Sequence, residues 1–287
     1  MKLIVETDIG HDPDDLFALC YLIAAGVDVK AVLVTPGDPD QLAIARLVLD
    51  VAGAKHVPIG VSHLDREKRS SGSIHHDLLR KYGKDLDGLH DGEGVQIMEW
   101  ALEDDPDCEL FVIGPVCTIG AYFAKHPERA FKRATMQGGF LPYKYYRPSI
   151  TLSKFEDKNE VPTFNLNGDR SGGERFLAAP IDDRRMVGKN ICHTVEYNSN
   201  LAAGIRNTTH PAARLFVEAS EMYFARHSEK KFHDPTAAVL HLHPEIGEWY
   251  AGKTTKSKSG WTTVPGDDMI LKEIDYDLLW SHLQEMK

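Results

Sequence analysis

The 287-residue sequence has only four cysteines, Cys20, Cys108, Cys117 and Cys192, and they lack the short spacing of a metal-binding knuckle. Most lie in apolar context, so the reading is of reduced, buried thiols in a cytoplasmic protein. No run of about 18 apolar residues occurs, which excludes a helical membrane span. No basic-then-apolar leader precedes the first strand-like segment, so no signal peptide is expected. Internal repeats, low-complexity tracts and linkers are also missing. A chain of this length buries a large core, and a single domain over 1–287 is expected. Positive charge is in short supply: 33 Lys and Arg face 43 Asp and Glu, a formal charge of −10. That balance argues against a partner such as a nucleic acid polymer.

What the sequence does have is carboxylate concentrated in one place. The run Glu6-Thr7-Asp8-Ile9-Gly10-His11-Asp12-Pro13-Asp14-Asp15 follows the apolar stretch Leu3-Ile4-Val5, and Asp8, Asp12, Asp14 and Asp15 put four carboxylates within eight residues. Like charges this close raise one another's pKa unless something positive sits among them. A hard divalent cation, calcium or magnesium, takes such oxygen ligands. Gly10 permits a tight turn inside the cluster. The reading is a strand whose C-terminal end opens into a metal-binding loop; the alternative is a solvated acidic turn that caps a helix. Far along the chain, Phe232-His233-Asp234-Pro235 precedes the helical run Ala237-Ala238-Val239-Leu240. Asp234 is placed to close a metal site from a distance, with His233 beside it as a proton donor.

Strand-like and helix-like segments alternate through the first two-thirds. Strands are expected at Lys2 to Thr7, Val29 to Thr35, Val57 to Val61, Glu109 to Ile113 and, briefly, Ala134 to Gln137. Helices are expected at Asp14 to Ala25, Gln41 to Val51, Gly94 to Leu102 and Ile119 to Lys125. Continuous apolar strands between amphipathic helices predict an α/β fold with an open, mostly parallel sheet and helices on both faces, Rossmann-like in outline. Ligands bind such sheets beyond the C-terminal strand ends, where Asp8, Asp38, Gly114 and Met136 all fall. Ser62 to Asp91 and Leu141 to Pro162 read as long loops of the lid or binding kind. Gly252 to Gly266 reads as a surface hairpin, and Tyr276 to Met286 as a closing helix.

Taken together, Asp8-Ile9-Gly10-His11-Asp12-Pro13-Asp14-Asp15, Gly114-Pro115-Val116-Cys117-Thr118, Met136-Gln137-Gly138-Gly139, Phe164-Asn165 and His233-Asp234-Pro235 resemble the nucleoside hydrolases, the inosine-uridine-preferring N-ribohydrolases. They keep that family's order and about its spacing, from residue 2 to about residue 245. The aspartate cluster is the specific element. The resemblance implies a calcium-dependent N-glycosidase that cleaves a ribonucleoside to free base and ribose, on a homodimer or homotetramer. The net negative charge is no obstacle to an uncharged nucleoside.

Particular roles follow from the resemblance. Asp8 would bind the metal and act as general base on water, Asp15 would chelate through both oxygens, Asp234 would add a carboxylate, and the main-chain carbonyl of Cys117 would complete the set. Asp14 would accept from a ribose hydroxyl, Asn165 would bind the ribose, and Met136 would face the substrate. His233 would be the acid for the leaving base. Asp38 stands where the family usually has Asn near the ribose, and Thr163 stands where it usually has Glu for the sugar 5′-hydroxyl. A short neutral Thr163 leaves room for a modified 5′ group, and Asn159 is a second candidate for that side. The spacing Asp12-Pro13-Asp14-Asp15 is one residue longer than one common family pattern, which sets Asp12 behind the ligands.

The same residues bear on three rival readings. A haloacid-dehalogenase-like phosphatase wants a second Asp two residues after the first, and Gly10 occupies that place. An inactive nucleoside-binding protein on the same fold would be expected to lose the metal carboxylates, which remain. A transferase that passes the sugar to another acceptor stays open at this point.

Overall fold

A computed structural model describes residues 1–72, 74–205 and 208–286. The strands are β1 Lys2–Thr7, β2 Asp28–Val34, β3 Ile59–Val61, β4 Gly92–Glu93, β5 Glu109–Val112, β6 Phe131–Gln137, β7 Ile181–Val187, β8 Glu196–Asn198, β9 Glu229–Lys231, β10 Gly247–Lys256, β11 Trp261–Pro265 and β12 Asp268–Ile274. The helices are α1 Pro13–Ala24, α2 Pro39–Val51, α3 His75–Lys81, α4 Gly94–Asp104, α5 Thr118–Lys125, α6 Phe164–Gly168, α7 Arg170–Ala178, α8 Lys189–Cys192, α9 Ser199–Ala203, α10 Pro211–Phe224, α11 Asp234–Leu242 and α12 Tyr276–Gln284. None is long and apolar enough to cross a membrane.

Ten strands form one sheet in the order β11-β10-β12-β7-β6-β5-β1-β2-β3-β4. The strands from β12 to β4 run parallel, and β10 pairs antiparallel with both β12 and β11. The chain starts in the middle. It moves outward through β2, β3 and β4, then returns to the other side of β1 for β5, β6 and β7. The order therefore reverses between β1 and β5, and a crevice opens there at the carboxyl ends of the strands.

The alternating pleat of β1 divides the core. Leu3 and Val5 pack into one apolar layer with α1, α2, α10, α11 and α12, while Ile4 packs into the other with α4, α5 and α7. Side chains on successive strand residues point to opposite faces, so both faces of a buried parallel strand must be apolar. Glu6 is the exception. It is fully buried, and its carboxylate accepts from the Thr118 and Ile119 amides at 2.6 and 3.0 Å, so it caps α5 instead of joining the aspartate cluster.

Two glycines are required where the site forms. A Cβ on Gly114 would fall 2.6 Å from the Asp8 amide nitrogen, so only glycine lets the end of β5 approach the end of β1. Gly10 has φ +108°, a left-handed conformation open mainly to glycine.

Several sequence expectations need correction. The segment 62–91 holds α3, which is packed through buried His75, Leu78 and Leu79. The segment 141–162 contains two short 3-10 turns, Tyr143–Tyr145 and Ser153–Phe155. The expected C-terminal hairpin is the β10–β11 pair, and it is joined to the main sheet through β12.

Candidate active site

Beyond the β1 and β5 ends lies a cavity of about 180 Å³ lined by Asp8, His11, Asp12, Asp14, Asp15, Ile113, Gln137, Phe164, Asn165, His233 and Asp234. Three local structures deliver these groups. The turn after β1 carries Asp8 into Asp12, which caps α1 by accepting from the Asp14 amide at 3.3 Å. Pro13 supplies a first helical position that needs no amide hydrogen, and Asp14 and Asp15 then sit in the first turn, where the helix dipole favours negative charge. Asp234 is the first residue of α11 and is followed by Pro235, so it too sits in a helical first turn, there without a side-chain cap. Phe232 holds that segment in place: its ring stacks on Tyr197 with centroids 4.1 Å apart and packs against Phe17 of α1 at 5.6 Å. Lys230 and His233 on either side are thereby fixed against the acidic turn.

The charges are unevenly compensated. Lys230 is buried, and its Nζ lies 3.0 Å from Asp14 Oδ2 and 3.1 Å from Asp12 Oδ1. Asp14 Oδ2 also accepts from the His233 amide at 3.1 Å, while its Oδ1 is buried without a partner. Asp15 Oδ1 accepts from Thr7 Oγ1 and, at 3.2 Å, from the Asp8 amide. Among the described residues no lysine or arginine forms an ion pair with Asp8, Asp15 or Asp234, although Lys230 acts on Asp234 from a distance. Burial pushes Asp8 and Asp14 up to about 7. Burial, followed by neighbouring aspartates, pushes Asp15 and Asp234 well above the usual carboxylate range.

This donor set has the chemistry of a hard-cation site: several buried carboxylates with too little positive charge. The three carboxylates of Asp8, Asp15 and Asp234 do not each bring an oxygen within 4.8 Å of the others.

His233 differs from a free imidazole. Burial first, then Lys230, His193, Lys189 and Lys154, hold it far below the usual range, so it is neutral. Its Nε2 is buried without a partner, and its ring lies 4.9 Å from the His193 ring. His193 in turn lies 2.9 Å, through Nδ1, from Lys154 Nζ of the 141–162 segment.

The structure gathers Asp8, Asp14, Asp15, Asn165, His233 and Asp234 at the cavity, as the sequence reading expects. Five expected residues lie elsewhere. Cys117 lines a different cavity, with Thr118, Gly168 and Asp169, and its carbonyl accepts from the Ala121 amide at 3.0 Å as the start of α5. The backbone group at the site is instead Ile113, directly after β5, whose carbonyl accepts from Asn165 Nδ2 at 2.8 Å. Met136 points into the apolar layer beneath the sheet, and strand alternation gives the cavity position to Gln137. Asp38 is tied to Arg66 at 2.6 Å, and its backbone amide donates to Gln41 at the start of α2. Asn159 is exposed and accepts from Lys144 Nζ at 2.8 Å. Thr163 is buried just before Phe164 and Asn165, does not line the cavity, and leaves Oγ1 unpartnered.

Sequence reasoning missed Lys230, Ile113, Gln137 and the lining role of His11. Asn165 Nδ2 donates to the Gln137 carbonyl and to its Oε1, both at 3.0 Å, so the two amides form one floor. Phe164, 62 % exposed, also lines the cavity.

The inosine-uridine preferring nucleoside hydrolase family model matches residues 3–280. Solved structures agree in fold. A plant nucleoside hydrolase superposes with a TM-score of 0.76 at 18 % identity, covering 99 % of this chain and 98 % of its own. A purine-preferring ribonucleoside hydrolase from Gardnerella vaginalis gives 0.71 at 16 % identity, with 100 % and 98 % covered. An inosine-uridine preferring nucleoside hydrolase from Bacillus anthracis gives 0.73 at 12 % identity, with 100 % and 99 % covered. A comparison with curated proteins finds no sequence match.

Proposed function

Because the chain belongs to the inosine-uridine preferring nucleoside hydrolase family and is thereby a hydrolase of N-glycosyl compounds, we propose that it cleaves ribonucleosides to free base and ribose, with calcium held by Asp8, Asp15 and Asp234. The observation that carries this reading is the set of carboxylates at the β1–β5 crevice, Asp15 and Asp234 buried and Asp8 half-buried, that have no Lys or Arg ion-pair partner among the described residues. The carbonyl of Ile113 is the backbone ligand in this reading, in place of Cys117.

N-glycoside hydrolysis needs a positioned water, a stabilised oxocarbenium-like sugar and help for the leaving base. Calcium, when bound, supplies oxygen coordination for the water and for sugar hydroxyls. Asp8, with a carboxylate pushed toward neutrality, takes the proton of the attacking water. Asp14 accepts a ribose hydroxyl at its free Oδ1, while Lys230 holds Oδ2 and favours its ionised form against the upward push of burial. Asn165 and Gln137 bound the sugar from the β5–β6 side, with Phe164 also in the cavity wall. His233 is neutral and gives the leaving base a hydrogen bond, not a full positive charge. Contacts that strengthen as charge develops on the sugar are those that accelerate the step.

Position 163 holds a buried Thr behind this floor and not a carboxylate, so no acid at that position opposes a nucleoside altered at the 5′ position, a nucleotide included. The four free cysteines suit a cytoplasmic setting, and a homodimer or homotetramer remains the expected assembly. The test of substrate class is base release over a panel of nucleosides and nucleoside 5′-phosphates, with calcium present or chelated. No release from any member would overturn the reading.

A further inference from the structure

The helix that opens with Asp234 ends at a second group of ligand-bearing side chains. His243 follows α11, Glu245 lies in the 3-10 turn Pro244–Ile246, and His282 sits in the last turn of α12. The His243 and His282 rings are stacked, with centroids 3.6 Å apart and planes 8° from parallel. Glu245 Oε1 lies 3.4 Å from His243 Nδ1, and Glu285 Oε2 lies 3.8 Å from His282 Nδ1. One nitrogen from each ring and one Glu245 oxygen fall within 4.8 Å of one another, and among the described residues no other trio of His, Cys, Asp or Glu does so.

We infer that His243, His282 and Glu245 form a binding site for a borderline divalent transition ion of the zinc class, with Glu285 as a fourth donor. Each ring in its neutral form offers a nitrogen lone pair, and a carboxylate flanks each ring. A set of two nitrogens with one or two carboxylates suits zinc, whereas calcium prefers oxygen alone, and one of the stacked rings would tilt for both lone pairs to meet a single ion. The two ends of α11 would thus select different ions. Partial exposure of His243, His282 and Glu245 gives an ion a route in from solvent. Occupancy would join the segment after α11 to α12, and so clasp the C-terminal helix against the helix that presents Asp234. This inference is independent of the substrate.

The test is a zinc titration of the full-length protein held in excess calcium, read by calorimetry and by Tm, with a parallel cobalt titration read by visible absorption. The expected results are one zinc per chain, a rise in Tm, and ligand-field bands without a thiolate charge-transfer band. His243→Ala and His282→Ala should each weaken zinc binding at least tenfold, and Glu245→Gln should weaken it less. Base release by His282→Ala in calcium should match the wild type. If an alanine variant folds poorly, the cobalt spectrum of the wild type still decides. Absence of saturable zinc binding, binding unchanged in the His243→Ala/His282→Ala double variant, or a thiolate band placing the ion on a cysteine would each overturn the inference.

Discussion

Lys230 Nζ stands 3.0 Å from Asp14 Oδ2, and both groups are almost completely buried. The pair comes from opposite parts of the chain, β9 and the first turn of α1, and it divides the acidic cluster in two. Asp14 and Asp12 have a protein cation; Asp8, Asp15 and Asp234, the proposed ligands of an external one, have none among the described residues. In a buried pair each charge depends on the other, and removal of one partner typically costs about 3–5 kcal/mol.

Lys230 lowers the Asp14 pKa against the upward push of burial. Lys230→Met should therefore raise it, so that Asp14 protonates at higher pH. The acid limb of kcat/KM should move up by about a unit, corresponding to roughly 1.4 kcal/mol. The loss should be greater at pH 6 than at pH 9, and Lys230→Arg should restore much of it. A loss that is equal across pH would assign Lys230 a purely structural role.

Asp8→Ala should lower kcat by about 10²-fold or more, the usual contribution of a general base. His233→Ala should harm nucleosides with poor leaving groups more than a p-nitrophenyl riboside. Because burial and neighbouring cations keep His233 neutral, the wild-type profile should show no limb near pH 6.5 that disappears in His233→Ala. Such a limb, or equal losses on both substrates, would count against the assigned role.

Metal-free stability should run opposite to metal affinity. Burial raises Asp8 and Asp14 to about 7, so their protonated forms stabilise the fold at low pH and that contribution fades as pH rises from about 4 to about 7. Calcium needs the ionised forms, so the Tm difference between calcium and chelator should widen from pH 5 to pH 8. At a hundredfold excess over Kd the added stability is about 2.7 kcal/mol. Asp15→Asn should abolish the difference. A difference independent of pH would show that these carboxylates do not bind the ion.

His75 gives a slope of the opposite sign. It is fully buried, its Nδ1 lies 2.9 Å from the Gly72 carbonyl oxygen, and burial holds it down to about 4. The unfolded chain takes up this proton near pH 6.5 and the native state does not, so stability falls as pH drops from 6.5 to 4. The contribution is roughly 3 kcal/mol at most. His75→Phe should flatten that part of a denaturation-versus-pH curve measured with the metal chelated. A curve of unchanged slope would refute the assignment.

The legible part of this site was local. Asp8, Asp14 and Asp15 announce themselves because one turn and one helix start hold them within eight residues. The parallel sheet was legible from apolar runs between helices, and the position of the cluster followed from the strand ends. The misplaced residues turn on details that spacing does not encode. Choosing Gln137 over Met136 requires strand parity, for which the apolar character of Met136 was the available signal. Choosing the Ile113 carbonyl over that of Cys117 requires the point where β5 ends and the length of the turn into α5. Asp38 was lost to Arg66, a residue of a segment read as loop. Lys230 had no motif at all, since its role exists only once β9 lies against α1.

The most direct test of the central claim is the initial rate of free-base release from ribonucleosides by the purified protein, measured as prepared, after complete chelation, and after calcium is restored. The account predicts release of base and ribose in equal amounts, loss of activity on chelation, and its return with calcium in the wild type but not in Asp15→Asn. Release that persists unchanged after complete chelation would contradict it.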